Sequence, residues 1–125
     1  MLEQIRNILA EVLSADPDTI NEDSNLVSDL AAESIDFVDI AFHVEKAFGL
    51  KDVSPAILFP AFLREQKEIF ADGKLLPEIK SRLVTEYPFL GNARIERFEA
   101  TQSFEIFFEV GVLVSFVQAR QAKAA

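Results

Sequence analysis

A single serine, Ser34, stands in an acidic stretch at the point where a helical pattern begins. The stretch reads Asp29-Leu30-Ala31-Ala32-Glu33-Ser34-Ile35-Asp36. The apolar residues that follow recur at spacings of three and four, which are those of an α-helix. The free N–H groups of a helix start stabilise negative charge near such a hydroxyl.

The simplest interpretation of Ser34 needs no function at all. A serine at a helix start is a common N-cap, since its hydroxyl accepts a hydrogen bond from a free backbone N–H group. That interpretation leaves the four acidic residues around the serine unexplained. They are Asp29, Glu33, Asp36 and Asp39. One or two carboxylates complement a helix dipole, so four indicate a surface that a partner recognises.

These residues resemble the signature of the acyl carrier proteins, Asp-Leu-Gly-x-Asp-Ser-Leu-Asp followed by a helix that ends in Glu-x-x-Phe. Here the helix ends in Glu45-Lys46-Ala47-Phe48. In that family the serine carries a 4′-phosphopantetheine arm, and acyl groups are bound to its terminal thiol. The resemblance therefore implies that Ser34 is the sole attachment site of this cofactor. The chain departs from the signature at Ala31, where glycine is usual, and at Glu33, where aspartate is usual.

The resemblance also implies partners with basic docking surfaces, namely a phosphopantetheinyl transferase and enzymes that process acyl groups in fatty acid, lipid or polyketide synthesis. The expected docking residues are Glu33, Asp36, Asp39, His43 and Glu45. The charge distribution agrees with this expectation. Residues 1–50 hold eleven acidic and two basic side chains, whereas residues 51–125 hold ten of each. The net charge of −9 therefore lies around Ser34, where it attracts basic proteins and repels nucleic acid.

Two other functions compete with that of a carrier. An enzyme needs a positioned nucleophile or acid–base pair, and Ser34 with His43 is the only candidate couple. Nine helical residues place them roughly 13 Å apart, so no catalytic role is expected. The more serious rival is a protein–protein interaction module of the same fold that never receives the arm.

Composition sets the broad class of the protein. A chain of 125 residues, half of them hydrophobic, is expected to form a single domain with a real core. No apolar run is long enough to span a bilayer, and the N-terminus lacks the basic region of a signal peptide, so we expect a cytoplasmic monomer. Without cysteine and with one histidine, neither disulfides nor a metal site is expected.

Periodicity predicts an all-α fold, and the resemblance implies an acyl-carrier-like bundle with a helical insertion before the last helix. Helices are expected at about 2–14, 34–48, 76–86 and 108–121, and Glu109–Val117 resembles the last helix of the acyl carrier proteins. The second helix carries two apolar rows, so we expect it to be packed on two sides. One row is Phe37, Ala41, Val44 and Phe48, and the other is Ile35, Val38 and Phe42. A polar stripe should remain in solvent at Asp36, Asp39, His43 and Lys46.

The segment at about 50–107 is much longer than the one that joins the second and last helices in ordinary acyl carrier proteins. We expect a short helix near 55–71, followed by a turn at Asp72-Gly73. Nine of the twelve phenylalanines lie beyond residue 50. These rings either enlarge the apolar interior to shelter a long or unusual acyl chain, or simply close a core of their own.

Overall fold

The structure, a computed structural model, describes residues 1–124. It confirms the predicted all-α bundle with a helical insertion before the last helix. The helices are α1 (Leu2–Leu13), α2 (Ser34–Phe48), α3 (Pro55–Leu58), α4 (Pro77–Glu86), α5 (Gly91–Thr101) and α6 (Val110–Ala124). Short 3₁₀ segments cover Pro17–Thr19, Ala61–Glu65, Pro88–Leu90 and Phe104–Phe108. The strands β1 (Phe70–Ala71) and β2 (Lys74–Leu75) form one small antiparallel hairpin.

The first hydrophobic core lies between α1, α2, α3 and α6. Ile5 and Leu9 of α1 and Ile40 and Val44 of α2 are completely buried. Gly49 ends α2 with a left-handed φ of 63°, and its N–H donates to the carbonyl oxygen of Glu45. Glycine adopts that conformation without a steric penalty. The predicted span of the second helix, 34–48, is thereby confirmed at both ends.

The second apolar row of α2 is not packed, so the expectation of a helix covered on two sides was wrong. Ile35, Val38 and Phe42 are 68%, 57% and 58% exposed. The described neighbours of α2 are α1, α3 and α6, which cover one side of the helix. Within residues 1–124 no element covers the opposite side, and the row therefore remains at the surface.

The residues between α3 and α6 form a second core that consists largely of rings. Phe62, Leu83, Phe98 and Phe107 are buried in it. The ring of Phe98 lies 4.6 Å from that of Phe107 between centroids. A second core is compatible with both expectations for these rings, and the two differ in whether the rings also shelter an acyl chain.

One local prediction within the insertion was wrong, one was confirmed, and one helix was missed. Residues 55–71 do not form one helix, because α3 ends at Leu58 ahead of Pro60, and a proline ring disfavours helical φ and ψ in the preceding residue. The chain at Phe70 is instead a strand of a hairpin. Its two-residue turn is Asp72-Gly73, with φ of 53° and 76°, the positive values that a type I′ turn needs. Helix α5 was not predicted, because only Ile95 and Phe98 are buried along it.

Helix α6 belongs to both cores, which explains why apolar residues surround it. Val110 and Val117 are buried in the first core, and Val112 is buried in the second. Arg97 of α5 donates to both carboxylate oxygens of Glu109, at 3.2 and 2.7 Å, and this bidentate pairing raises the pKa of Arg97.

No helix in residues 1–124 has both the length and the apolar content that crossing a bilayer requires.

Candidate functional site

Ser34 is exposed at the first position of α2 and is not the residue that caps the helix. The N-cap is Glu33, whose backbone N–H donates to the Asp36 carboxylate at 2.8 Å. The Ser34 hydroxyl makes no hydrogen bond to another residue in the described part of the chain. The capping interpretation of Ser34 was therefore wrong, and its hydroxyl is available for chemistry.

The backbone of the preceding loop fixes Ser34 relative to the insertion. Leu26 donates its N–H to the carbonyl oxygen of Phe108 and accepts at its own carbonyl from Ala32, both at 2.8 Å. The buried Asn25 donates from Nδ2 to the carbonyl oxygen of Glu105 at 2.8 Å. These bonds hold the 3₁₀ segment Phe104–Phe108 beside the start of α2.

A half-open pocket of about 400 Å³ lies directly beside the serine. It is lined by Ser34, Arg64, the two prolines Pro55 and Pro60, and the five phenylalanines Phe37, Phe59, Phe104, Phe107 and Phe108. Its volume falls within the range of small-molecule sites. Such sites are also mostly apolar with few polar groups, as this pocket is. The two cores meet here, since Phe59 belongs to the first core and Phe107 to the second.

Three rings form the floor of the pocket. Phe37, Phe59 and Phe108 lie with centroids 4.9 to 5.5 Å apart, which are favourable aromatic contacts. Phe104 borders the pocket on the side of the insertion and is 44% exposed. An apolar surface is therefore available next to the hydroxyl of Ser34.

The structure places the predicted docking residues along one helix without bringing all of them together. Glu33, Asp36 and Asp39 lie near Ser34, within the first two turns of α2. Glu45 lies about 18 Å from Glu33 along the axis. Its carboxylate accepts from the N–H of Val53 at 3.1 Å, so it also fixes the loop that follows α2.

Two residues of the serine motif have local structural roles. The Asp29 carboxylate accepts from the N–H of Asn25 at 2.7 Å and so shapes the loop. Ala31 has a left-handed φ of 57°. That conformation is costly for a residue with a Cβ atom, which explains why a glycine suits this position in the signature.

His43 is half-buried, and its ring lies against that of Phe42 with centroids 5.8 Å apart. Because α2 is continuous from Ser34 to Phe48, the rise along the helix separates Ser34 and His43 by roughly 13 Å. The two side chains therefore cannot form a hydrogen-bonded catalytic couple.

Comparison with known proteins identifies the region that contains this site. Residues 3–60 match the phosphopantetheine attachment site family. Over these residues the chain is similar to proteins that carry a phosphopantetheine group. The matched region contains Ser34 and all the predicted docking residues, and its cofactor is 4′-phosphopantetheine.

Relatives of this chain include bacterial acyl carrier proteins. It is 43% identical over 49 residues to the acyl carrier protein AcpXL of Brucella melitensis, an alignment that covers 39% of this chain and 53% of that protein. It is 39% identical over 49 residues to AcpXL of Rhizobium meliloti, which covers 39% and 52%. The acyl carrier protein of Campylobacter hominis is 35% identical over 51 residues, which covers 41% and 65%.

The chain thus spans about half the length of the AcpXL relatives it matches. No solved structure matches the chain. The family region ends at residue 60, so most of the insertion and α6 lie outside it.

The site residues suit a phosphopantetheine group. An exposed serine at the start of a 15-residue helix offers both a hydroxyl and a favourable dipole for a phosphate. The neighbouring pocket offers apolar walls to the rest of the arm. The sequence did not predict that the row Ile35, Val38 and Phe42 is exposed, or that Arg64 and Phe104 line the pocket. Periodicity and motif spacing do not indicate which surfaces remain uncovered in the folded protein.

Proposed function

We propose that this protein is an acyl carrier, with the 4′-phosphopantetheine arm attached to Ser34. The observation that carries the proposal is the exposed, unbonded hydroxyl of Ser34 at the start of α2, inside the region that matches the attachment family. The chain has no cysteine, so the arm supplies the thiol that binds the acyl group. A flexible tether raises the effective concentration of that group at each partner enzyme.

Partner enzymes bind a docking face on α2 that combines charge with apolar contact. We define this face by the acidic residues Glu33, Asp36 and Asp39 and the apolar row Ile35, Val38 and Phe42. The acidic residues steer basic partners and set the rate of association. The apolar row is exposed by more than half at each position, and an exposed apolar patch rimmed by charge is typical of an interaction site. His43 and Glu45 extend the face toward the end of α2.

The partners in this proposal are a phosphopantetheinyl transferase and enzymes of acyl chain synthesis or transfer. Loading from coenzyme A places this function in the cytoplasm. The pocket beside Ser34 gives the acyl group an apolar resting place between these encounters. Five phenylalanines line it, and three of them, Phe59, Phe104 and Phe107, come from the insertion.

Intact-mass measurement tests the proposal. The protein is incubated with a phosphopantetheinyl transferase and coenzyme A, and we expect one added arm per chain. Ser34→Ala should abolish the gain while leaving the helical content unchanged. Ser28→Ala, at an exposed serine of the preceding loop, is the matched control and should be loaded normally. A chain that several transferases leave unmodified would instead favour the interaction module that never receives an arm.

A further inference from the structure

We propose that Arg64 binds the phosphodiester of the arm and turns the arm into the pocket beside Ser34. This inference rests on the proposed function, because it takes Ser34 as the attachment residue. It adds a binding residue from the insertion, outside the region that matches the attachment family. It also gives the arm a defined resting position in place of free motion in solvent.

Arg64 and Ser34 line the same pocket, although thirty residues separate them in the chain. Arg64 lies in the 3₁₀ segment Ala61–Glu65, which follows α3. A phosphate bonded to the Ser34 hydroxyl would therefore stand at the wall of a pocket that Arg64 also lines. The pocket volume of about 400 Å³ keeps the two groups within reach of a long, flexible arginine side chain.

Arg64 also differs from every other arginine of the chain. The remaining five each donate a side-chain hydrogen bond, two to glutamates and three to backbone carbonyl oxygens. These are Arg6, Arg82, Arg94, Arg97 and Arg120. The Arg64 side chain has no hydrogen bond or ion pair to another residue within the described residues 1–124. Its donors are therefore free to bind an anion in the pocket.

The charges around Ser34 explain why such a cation is needed. A phosphodiester on Ser34 adds negative charge between the carboxylates of Glu33 and Asp36, in the half of the chain that already holds the entire net charge of −9. Arginine binds phosphate oxygens through two parallel N–H···O bonds, which are stronger than neutral hydrogen bonds. Apolar walls around the pair reduce screening by water.

The remaining lining residues suit the rest of the arm. Phe104 and Phe107 present apolar surface from the 3₁₀ segment that precedes α6, and Pro55 and Pro60 do so from the region of α3. With its phosphate held by Arg64, the arm runs along these walls. An acyl group at the end of the arm then lies in or next to the pocket.

The test uses the loaded protein with no acyl group, so that any ordering belongs to the arm itself. The two amides of the arm are labelled with ¹⁵N, and their order parameters are measured for the wild type, Arg64→Gln, Arg64→Lys and Lys67→Gln. Lys67 is exposed, lies three residues from Arg64 and does not line the pocket, so its variant matches the charge change of Arg64→Gln. Circular dichroism and intact mass confirm that each variant is folded and loaded.

We expect wild-type arm amides to approach the rigid value of about 0.85 and those of Arg64→Gln to fall below about 0.6. Lys67→Gln should resemble the wild type, and Arg64→Lys should be intermediate because it keeps the charge without the planar fork. Loading should also raise the melting temperature by about 4 °C in the wild type and by less than half of that rise in Arg64→Gln.

Arm amides that are mobile in the loaded wild type, or equally ordered in Arg64→Gln, would overturn the inference while leaving the acyl-carrier function intact. A slower loading rate of Arg64→Gln with an unchanged arm would assign Arg64 to transferase docking and would likewise overturn it. A wild-type chain that gains no arm would overturn the proposed function and this inference together.

Discussion

The two hydrophobic cores of this protein differ in what they leave at the surface. The core of α1, α2 and α6 is aliphatic in its centre, and the surface around it is strongly acidic, with an uncovered apolar row on α2. The core of the insertion is rich in rings and lies under a charge-balanced surface. The comparison supports the proposal that recognition and shelter are separated. In this proposal partners bind the acidic half, and the insertion contributes apolar walls to the pocket where the cores meet.

The largest effect that we expect is a rise in thermal stability when an acyl group is attached to the arm. Burial of each CH₂ contributes about 0.8 kcal/mol, so about eight sheltered methylenes could add up to about 6 kcal/mol before the cost of ordering the chain. Thermal stability should therefore rise progressively from the arm-only form through short to long acyl forms. Calorimetry on a series of acyl lengths measures this.

The variant Phe104→Ala provides the contrast within that series. It removes a ring that lines the pocket and is partly exposed, so the rise with acyl length should become smaller. A response to acyl length that is flat in the wild type would show that the insertion only closes its own core.

The second prediction concerns the coupling of the two cores. Phe98 is completely buried and contacts the rings of Phe70, Phe104 and Phe107, so Phe98→Ala should lower the free energy of unfolding by about 3–5 kcal/mol. Because α6 contributes to both cores, we expect urea denaturation to remain a single transition, as it should for one domain. Leu9→Ala in the first core is the matched control. Two separated transitions in Phe98→Ala would mean that the insertion folds independently.

The sequence predicted the elements with strong local boundaries and failed where tertiary contacts decide. Helix α2 was predicted residue by residue, because Gly49 stops it and apolar spacing marks its interior. Helix α4 was similarly bounded by Pro77 and Pro88. Helix α5 was missed, since its two buried residues give too little periodicity.

The candidate site was predicted only in its local part. The sequence motif identifies Ser34 as the candidate attachment residue. The pocket unites residues near positions 34, 55–64 and 104–108, and no pattern along the chain reports such a meeting. The exposure of Phe42 likewise depends on tertiary structure, because a second apolar row on a helix is buried only if another element packs on it.

A third prediction concerns recognition by the acidic half. Reversal of both charges in Asp36→Lys/Asp39→Lys should slow the loading of Ser34 by about tenfold at low salt. The difference should shrink at physiological salt, where the Debye length is about 8 Å. Loading rates measured across a salt series check this.

A control for the reversal comes from the insertion. The double variant Glu78→Lys/Glu96→Lys changes the net charge equally at exposed positions of α4 and α5, and it should load at nearly the wild-type rate. Equal slowing by both pairs would mean that overall charge, and not the face of α2, governs recognition.

The smallest predicted effect concerns the loop that precedes Ser34. Ala31→Gly should raise the free energy of unfolding by about 0.5–1 kcal/mol, since relief of the left-handed strain exceeds the entropy that glycine adds to the unfolded chain. Ala31 is exposed, so little packing is lost. Ala47→Gly, at an exposed helical position of α2, should instead destabilise the protein. A loss of stability in Ala31→Gly, measured by urea denaturation, would contradict the strain at this position.

The central claim is that both regions of the molecule build one resting place for the group carried on Ser34. The most direct measurement is the set of nuclear Overhauser contacts between a ¹³C-labelled acyl chain on the loaded protein and the aromatic rings. We predict contacts to rings from both regions, Phe37 and Phe59 on one side and Phe104 and Phe107 on the other. Contacts confined to residues inside the first core, such as Ile40 and Val44, or no contacts at all, would contradict the claim.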